Sequence, residues 1–391
     1  MNYSIDLKAA AKGRPRARLD YELVSAGVQP RLRGRLALSP IVDLSLYRVA
    51  AVVDWVDLVF HVDTATQARW INDQIFRTVG ISVHVEPIDP AVTTAQEFVL
   101  RIQEPSIELL ERVRCALSDR WGMSHPAMIE AIEVAVDFRP HTPSVEARDR
   151  MFGILVRHHA PEIDLGDRLA RPRIHGTQTK RTLGPVSRHG PGNQWDLVGD
   201  YDFAALTDWT YYTGRRNGVE RWRIMDKVLD RQTPAKGTFE HLPENQRRTR
   251  IETTIKQPML RKLGLVALED LRGFKTSELQ RRYFNFQLIT TPTATKLDRG
   301  SFDAVARKRE ALRVEKFLRT GMLGVRAMDV ARKDFRTHWH GSLLSEARSQ
   351  KRKVVWAGRV GAGSTGTNVS YRSLMKRVEA ALRHLGERWQ G

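Results

Sequence analysis

The 391-residue chain has a single cysteine, Cys115, so it cannot form an internal disulfide. That excludes a disulfide-stapled secreted scaffold and fits a reducing compartment. Cys115 falls among Ile107, Leu110, Val113 and Leu117 at helical spacing and is expected to be a core thiol. Long apolar runs are also missing: none approaches the roughly 18 residues needed to span a bilayer. The first residues hold no secretory apolar stretch, and Asp6 and Asp20 argue against a transit peptide. The expected location is therefore the cytoplasm. Acidic charge is scarce, with 45 Asp plus Glu against 64 Lys plus Arg and a net charge of +19. A folded chain this basic repels itself unless a polyanion neutralises it. Nucleic acid is the leading partner and an anionic membrane surface the second.

What is present divides into four stretches. Residues 1–45 are basic and broken by Gly and Pro, as in Gly13-Arg14-Pro15-Arg16, and read as an arm ordered on contact with a partner. Residues 46–140 carry a β-α-β-β-α-β rhythm: Val52 to Val62, a helix from a Thr64 cap to about Arg77, Ile81 to Val85, Glu97 to Ile102, a helix over Ser106 to Leu117, and Ile132 to Phe138. This is the ferredoxin-like split βαβ pattern, whose first and last strands lie side by side. Residues 141–265 hold a helix at 144–158 and strand-like runs at Trp209–Tyr212, Arg221–Met225 and Arg250–Ile255, the first two joined by a Gly214 to Gly218 hairpin signal. They read as a second, looser copy of the same unit. Residues 266–391 are basic and mostly helical, with clusters such as Lys351-Arg352-Lys353. The predicted class is α+β: two related ferredoxin-like split βαβ sheet units between a basic N-terminal arm and a basic helical C-terminal region.

Four short segments in order resemble the replication initiation factor family, which includes rolling-circle plasmid initiators, conjugative-element relaxases and filamentous-phage replication proteins. They are Val53-Asp54-Trp55-Val56-Asp57, Ile132 to Asp137, Thr210 to Arg215 with Arg223-Ile224-Met225-Asp226-Lys227, and Arg250-Ile251-Glu252. The resemblance implies two related sheet units, a divalent metal held by carboxylates, and a tyrosine that attacks a DNA phosphodiester. Mg²⁺ or Mn²⁺ takes oxygen ligands, so Glu133, Asp137 and Glu252 are the nominated set. Ion pairing with Arg223 or Arg250 is their structural alternative. The family strand reads Arg-x-Tyr-Asp-Lys, but this chain has Met225 at the tyrosine, and methionine cannot be a nucleophile. Tyr211 and Tyr212 stand one strand earlier and point to opposite faces, so only one can reach the acids. Lys227 and Arg223 remain as phosphate holders.

Aromatic residues Trp195, Trp209, Tyr211, Tyr212 and Trp222 surround Arg215, Arg216, Arg221 and Arg223, an interleaving that suits unpaired bases and phosphates as well as a core. His338-Trp339-His340 reads as a surface pair, and the glycine-rich run 361–366 as a linker, because no second strand or acid follows it. The expected function is a DNA replication initiator that binds an origin as duplex and single strand and nicks it with Tyr211 or Tyr212. The rival is a non-catalytic origin binder that melts or bends DNA and recruits a host helicase. A homodimer is the expected assembly, with no membrane partner.

Overall fold

Alternating apolar residues over Tyr47–Thr66 build the longest strand, β4, in which Val56, Leu58, Phe60 and Val62 are fully buried. The chain then forms helix α1 (Ala68–Val79), strands β5 (His84–Pro87) and β6 (Ala95–Gln103), helix α2 (Ile107–Trp121) and strand β7 (Met128–Pro140). These follow the predicted rhythm closely. Strand β4 runs to Thr66, so Gln67 rather than Thr64 precedes α1. The Ser106 hydroxyl accepts from the Leu109 N–H at 3.1 Å and caps α2. Helix α2 buries Leu110, Val113 and Leu117, whereas Cys115, two residues from each of the last two, is turned to solvent. The expectation of a core thiol is thereby corrected. The computed structural model describes residues 3–176, 182–183, 205–233, 238–293, 301–349 and 368–390; Trp195, Lys351, Arg352, Lys353 and the run 361–366 lie outside them.

After β7 come helix α3 (Val145–His158) and strands β8 (Arg173–Gly176), β9 (Thr182–Leu183), β10 (Trp209–Thr213), β11 (Glu220–Lys227), β12 (Leu229–Thr233), β13 (Thr238–His241) and β14 (Arg248–Lys256). The hairpin signal is realised: β10 and β11 pair antiparallel, and Gly214 takes a φ of 85° where a Cβ would lie 2.6 Å from the Glu220 carbonyl oxygen. Both groups of strands belong to one nine-stranded sheet ordered β5-β6-β4-β7-β14-β11-β10-β8-β9. The seam is the β7–β14 pairing. In the first group β4 and β7 are neighbours. The second group departs from the predicted copy. Its strands β14, β11, β10 and β8 are each antiparallel to the next, which is a meander rather than a split βαβ order.

The N-terminal residues also fold differently from the expected arm. Strands β1 (Tyr3–Leu7), β2 (Ala17–Ser25) and β3 (Arg35–Pro40) join β15 (Gln287–Pro292) and β16 (Asn368–Ser370) in a five-stranded antiparallel sheet. Ala17, Leu19 and Tyr21 alternate with polar residues and are buried, which is what removes this segment from solvent. Helix α3 touches both sheets and is buried on nearly every side. Two of its buried charged residues are ion-paired: Arg148 meets Asp226 at 2.8 Å, and Arg14 reaches Asp149 at 2.5 Å. Two short helices, α4 (Met259–Lys262) and α5 (Leu279–Tyr283), precede the long helical stretch α6 (Ser301–Ser349) and the last helix, α7 (Arg372–Gln390). The described C-terminal residues are mostly helical, and they are no appendage. They supply β15 and β16, and α7 lies against β4. Among the described residues no helix is long and apolar enough to cross a membrane.

Candidate active site

Residues directly opposite in antiparallel strands share a face of the sheet. One row crosses β8, β10, β11, β14, β7 and β4 as Arg173, Tyr212, Arg223, Glu252, Ala135 and Val52. On the same face the next rows hold Arg221, Thr254, Glu133 and Trp55 on one side, and Met225, Arg250, Asp137 and Ala50 on the other. The opposite face carries Tyr211, Ile224, Ile251 and Val136, all buried.

The register of β4 against β7 shifts between Val53 and Trp55. Such a bulge re-aims a side chain, and here the residue inside it is Asp54. Carboxylate oxygens of Asp54, Glu133 and Glu252 lie within 4.8 Å of one another. That span can be bridged by one hard cation, whose oxygen ligands sit at about 2.0–2.6 Å. Three oxygen donors on three adjacent strands therefore fit a divalent metal by position and chemistry.

Cations already share these oxygens. Arg223 pairs with Glu252 and, at 3.4 Å, with Glu133. Arg250 donates to Asp54 at 2.7 Å, to Asp137 at 2.8 Å and to Glu252 at 3.4 Å. Thr254 and the Trp55 indole donate to the two oxygens of Glu133 at 2.6 and 3.0 Å. Arg101 stacks on Trp55 with its guanidinium carbon 3.9 Å from a ring centroid, while gripping Asp57. Burial pushes the Glu252 carboxyl above its ordinary range, reinforced by Glu133 and Asp54, against the pull of Arg223 and Arg250. Burial acts the same way on Asp54, but there Arg250, Lys227 and Arg223 outweigh it and hold the carboxyl below its usual range. Burial opposes the Arg223 charge, yet Glu252 and Glu133 overcome it and raise the guanidinium further.

The structure sorts the residues nominated from the sequence. Glu133 and Glu252 converge, whereas Asp137 turns to Arg250 and Arg248, the latter at 2.8 Å. Asp54 takes the third place instead. Strict alternation cannot reveal the extra residue of a bulge, so its only trace in the sequence was an acid inside a β-branched run. Tyr211 is packed in the core, which removes it from the acids. Tyr212 is half-buried beside Arg223, where its hydroxyl bears electrostatically on the guanidinium, and Arg173 stacks on its ring at 5.5 Å. Lys227 stands two rows beyond Arg223 on the same face, 3.8 Å from Asp230. Arg221 lies 4.0 Å from Glu133. Arg215 and Arg216 are exposed at the hairpin tip, with Arg215 on Asp167 at 2.5 Å. Trp209 and Trp222 are buried, and the Trp222 indole donates to the Tyr283 carbonyl at 2.9 Å. They serve the core rather than a base-stacking surface.

No protein-family model matches the chain, and no curated protein matches it. Among solved structures, it is similar to a rolling circle replication initiator protein from Geobacillus stearothermophilus. The identity is 12%, the match covers 63% of this chain and 89% of that one, and the TM-score is 0.30.

Proposed function

We propose that this protein is a DNA replication initiator of the rolling-circle kind, with Tyr212 as nucleophile and Asp54, Glu133 and Glu252 as ligands of Mg²⁺ or Mn²⁺. The observation that carries the reading is the shared face. A tyrosine, a carboxylate trio and Arg223 stand on neighbouring strands in adjacent rows. The order of motifs along the chain and the net charge of +19 agree with it. The Tyr212 oxygen would attack phosphorus and lose its proton, forming a tyrosyl 5′-phosphate. The bond to the 3′ oxygen would break, and that oxygen would take up a proton as a free hydroxyl. A divalent cation on the trio would neutralise the phosphate and ease charge build-up on the leaving oxygen. Arg223 would hold a non-bridging phosphate oxygen, and Arg173 would keep the Tyr212 ring in place.

The pairing of Arg223 and Arg250 with the same carboxylates favours a second reading. The guanidiniums would neutralise the acids permanently, and with Met225 in the family's tyrosine position the protein would bind and melt an origin without cutting it. One experiment separates the two. Supercoiled DNA of the protein's own replicon is incubated with the chain and Mn²⁺, then resolved under denaturing conditions. The catalytic reading expects a nicked circle linked to protein, lost in Tyr212→Phe and kept in Tyr211→Phe. Site-specific binding without any adduct would leave the binding initiator.

A further inference from the structure

Next to the acid trio is a cavity of about 410 Å³, and its wall is unusually cationic. Arg48, Arg139, Arg248, Arg250 and Arg388 line it against only Glu104 and Asp137. Asp137 is spent on Arg250 and Arg248. Arg48 is exposed and, among the described residues, has no hydrogen-bonding or ionic partner; the Nε of Arg139 is buried without one. Arg48 and Arg139 face each other across β4 and β7, and Arg248 on β14 meets Lys227 on β11. A cationic band thus runs across four strands. Burial lowers the Arg248 guanidinium, and Arg250 and Arg139 beside it lower it further against Asp137, which is the mark of crowded like charge. Leu385 and Trp389 of α7 give the cavity an apolar wall.

The cavity and the trio are mechanically joined. Arg250 lines the one and donates to Asp54 of the other. Glu104, at the rim, adopts a φ of 45° and gives its N–H to the Asp54 carbonyl at 2.8 Å. A left-handed non-glycine residue costs about 1–3 kcal/mol and persists where surrounding structure demands it. Arg248 and Glu252 are four residues apart on β14, roughly 13 Å by strand rise.

Resting on the initiator reading, we propose that this arginine-lined cavity seats a backbone phosphate of the same DNA strand whose scissile phosphodiester lies at the acid trio. Guanidinium groups in surplus over carboxylates, with Arg48 and the Arg139 Nε still unpartnered, suit the oxygens of a phosphate, and the apolar wall suits a sugar or base. The occupant is a nucleotide unit of a strand rather than a free nucleotide, because the cationic band continues beyond the cavity to Lys227.

The test is the salt dependence of binding between the full chain and a fluorescent single-stranded oligonucleotide. Each phosphate contact contributes roughly 0.7 to the slope of log K against log salt for single strands. Arg48→Gln should flatten the slope by about 0.7, and Arg48→Gln with Arg139→Gln by about 1.4. Arg77→Gln, an exposed change on α1, should leave it unchanged. Arg48 is on the surface, so the single variant tests the idea even where the double variant fails to fold. Wild-type binding with an unaltered slope in Arg48→Gln would overturn this inference alone. A wild-type chain that binds no oligonucleotide at any salt would overturn the initiator reading and this inference with it. Deoxyadenosine monophosphate bound tightly by wild type and not by Arg48→Gln, with unchanged oligonucleotide slopes, would assign the cavity to free nucleotides and overturn the strand proposal.

Discussion

Asp54 and Glu252 are close enough to share a cation, yet their surroundings drive their titration in opposite directions. The folded state holds Asp54 below its ordinary value of about 3.9, so its ionised form is the better bound. Its contribution to stability is therefore present above the unfolded value and is lost as pH falls through the lower folded one. Asp54→Asn should destabilise the chain at neutral pH, and the gap to wild type in urea unfolding should close on acidification below about pH 4. Glu252 is raised in the fold, so its contribution is present in acid and fades as pH climbs through the raised value. The relative stability of Glu252→Gln should accordingly improve with rising pH. A parallel response of both variants would mean that Arg250 does not discriminate between them. Reading Asp54 from the sequence would have required knowing the bulge, whereas Glu133 and Glu252 were legible because regular strands put them on one face. Tyr212 could be separated from Tyr211 only once the meander fixed which face met α3.

At the scale of elements, the strands with clean alternation were the ones read correctly, and the N-terminal strands were misread for a specific reason. Gly13 with its neighbouring Pro15 suggested a broken, unfolded arm, but Gly13 and Gly27 occupy φ angles of 82° and 124° at the turns that separate β1, β2 and β3. Glycine there ends one strand and permits the next. Strand β3 pairs on one side with its neighbour β2, but its other partner is β15, some 250 positions away (Arg35 opposite Pro292), and no local pattern encodes that pairing. A similar case lies within α6. The helical stretch is interrupted at Gly321, with φ 75° and ψ −166°. A Cβ there would stand 2.6 Å from the Arg157 Cα and 2.8 Å from its carbonyl oxygen, both backbone atoms of α3. The Arg157 guanidinium in turn donates to the Leu318 carbonyl at 3.1 Å, locking the kink onto α3. This backbone region is open essentially to glycine alone, and strain and overpacking each cost about 1–3 kcal/mol. Gly321→Ala should lower stability by about 3 kcal/mol in chemical denaturation. A loss within ~0.5 kcal/mol would show that the two halves of α6 can slide off α3 without cost.

The whole molecule is held by a three-layer arrangement in which both ends of the chain contribute to the second sheet. Strands β1 to β3 come from the N-terminus and β15 and β16 from the C-terminal part, with α3 between this sheet and the large one. That connectivity gives the strongest contrast with an arm that orders only on DNA. Leu7, Leu19, Tyr21 and Leu38 are buried, and each large apolar side chain contributes about 1.5–3 kcal/mol when removed from water. Arg14 adds its contacts to Asp149 and Asp226; without it Asp226 would keep Arg148, and among the described residues buried Asp149 would keep no ion-pair partner. A chain lacking residues 1–45 should therefore fail to unfold cooperatively on heating and, on the proposed initiator reading, should bind DNA without site preference, because α3 loses one of its two supporting sheets. Retention of the full-length melting transition, with only the salt dependence of DNA binding weakened, would return these residues to the role of a charged arm. The measurement is direct, since both chains can be melted under identical conditions and the shape of the transition, rather than its midpoint, decides.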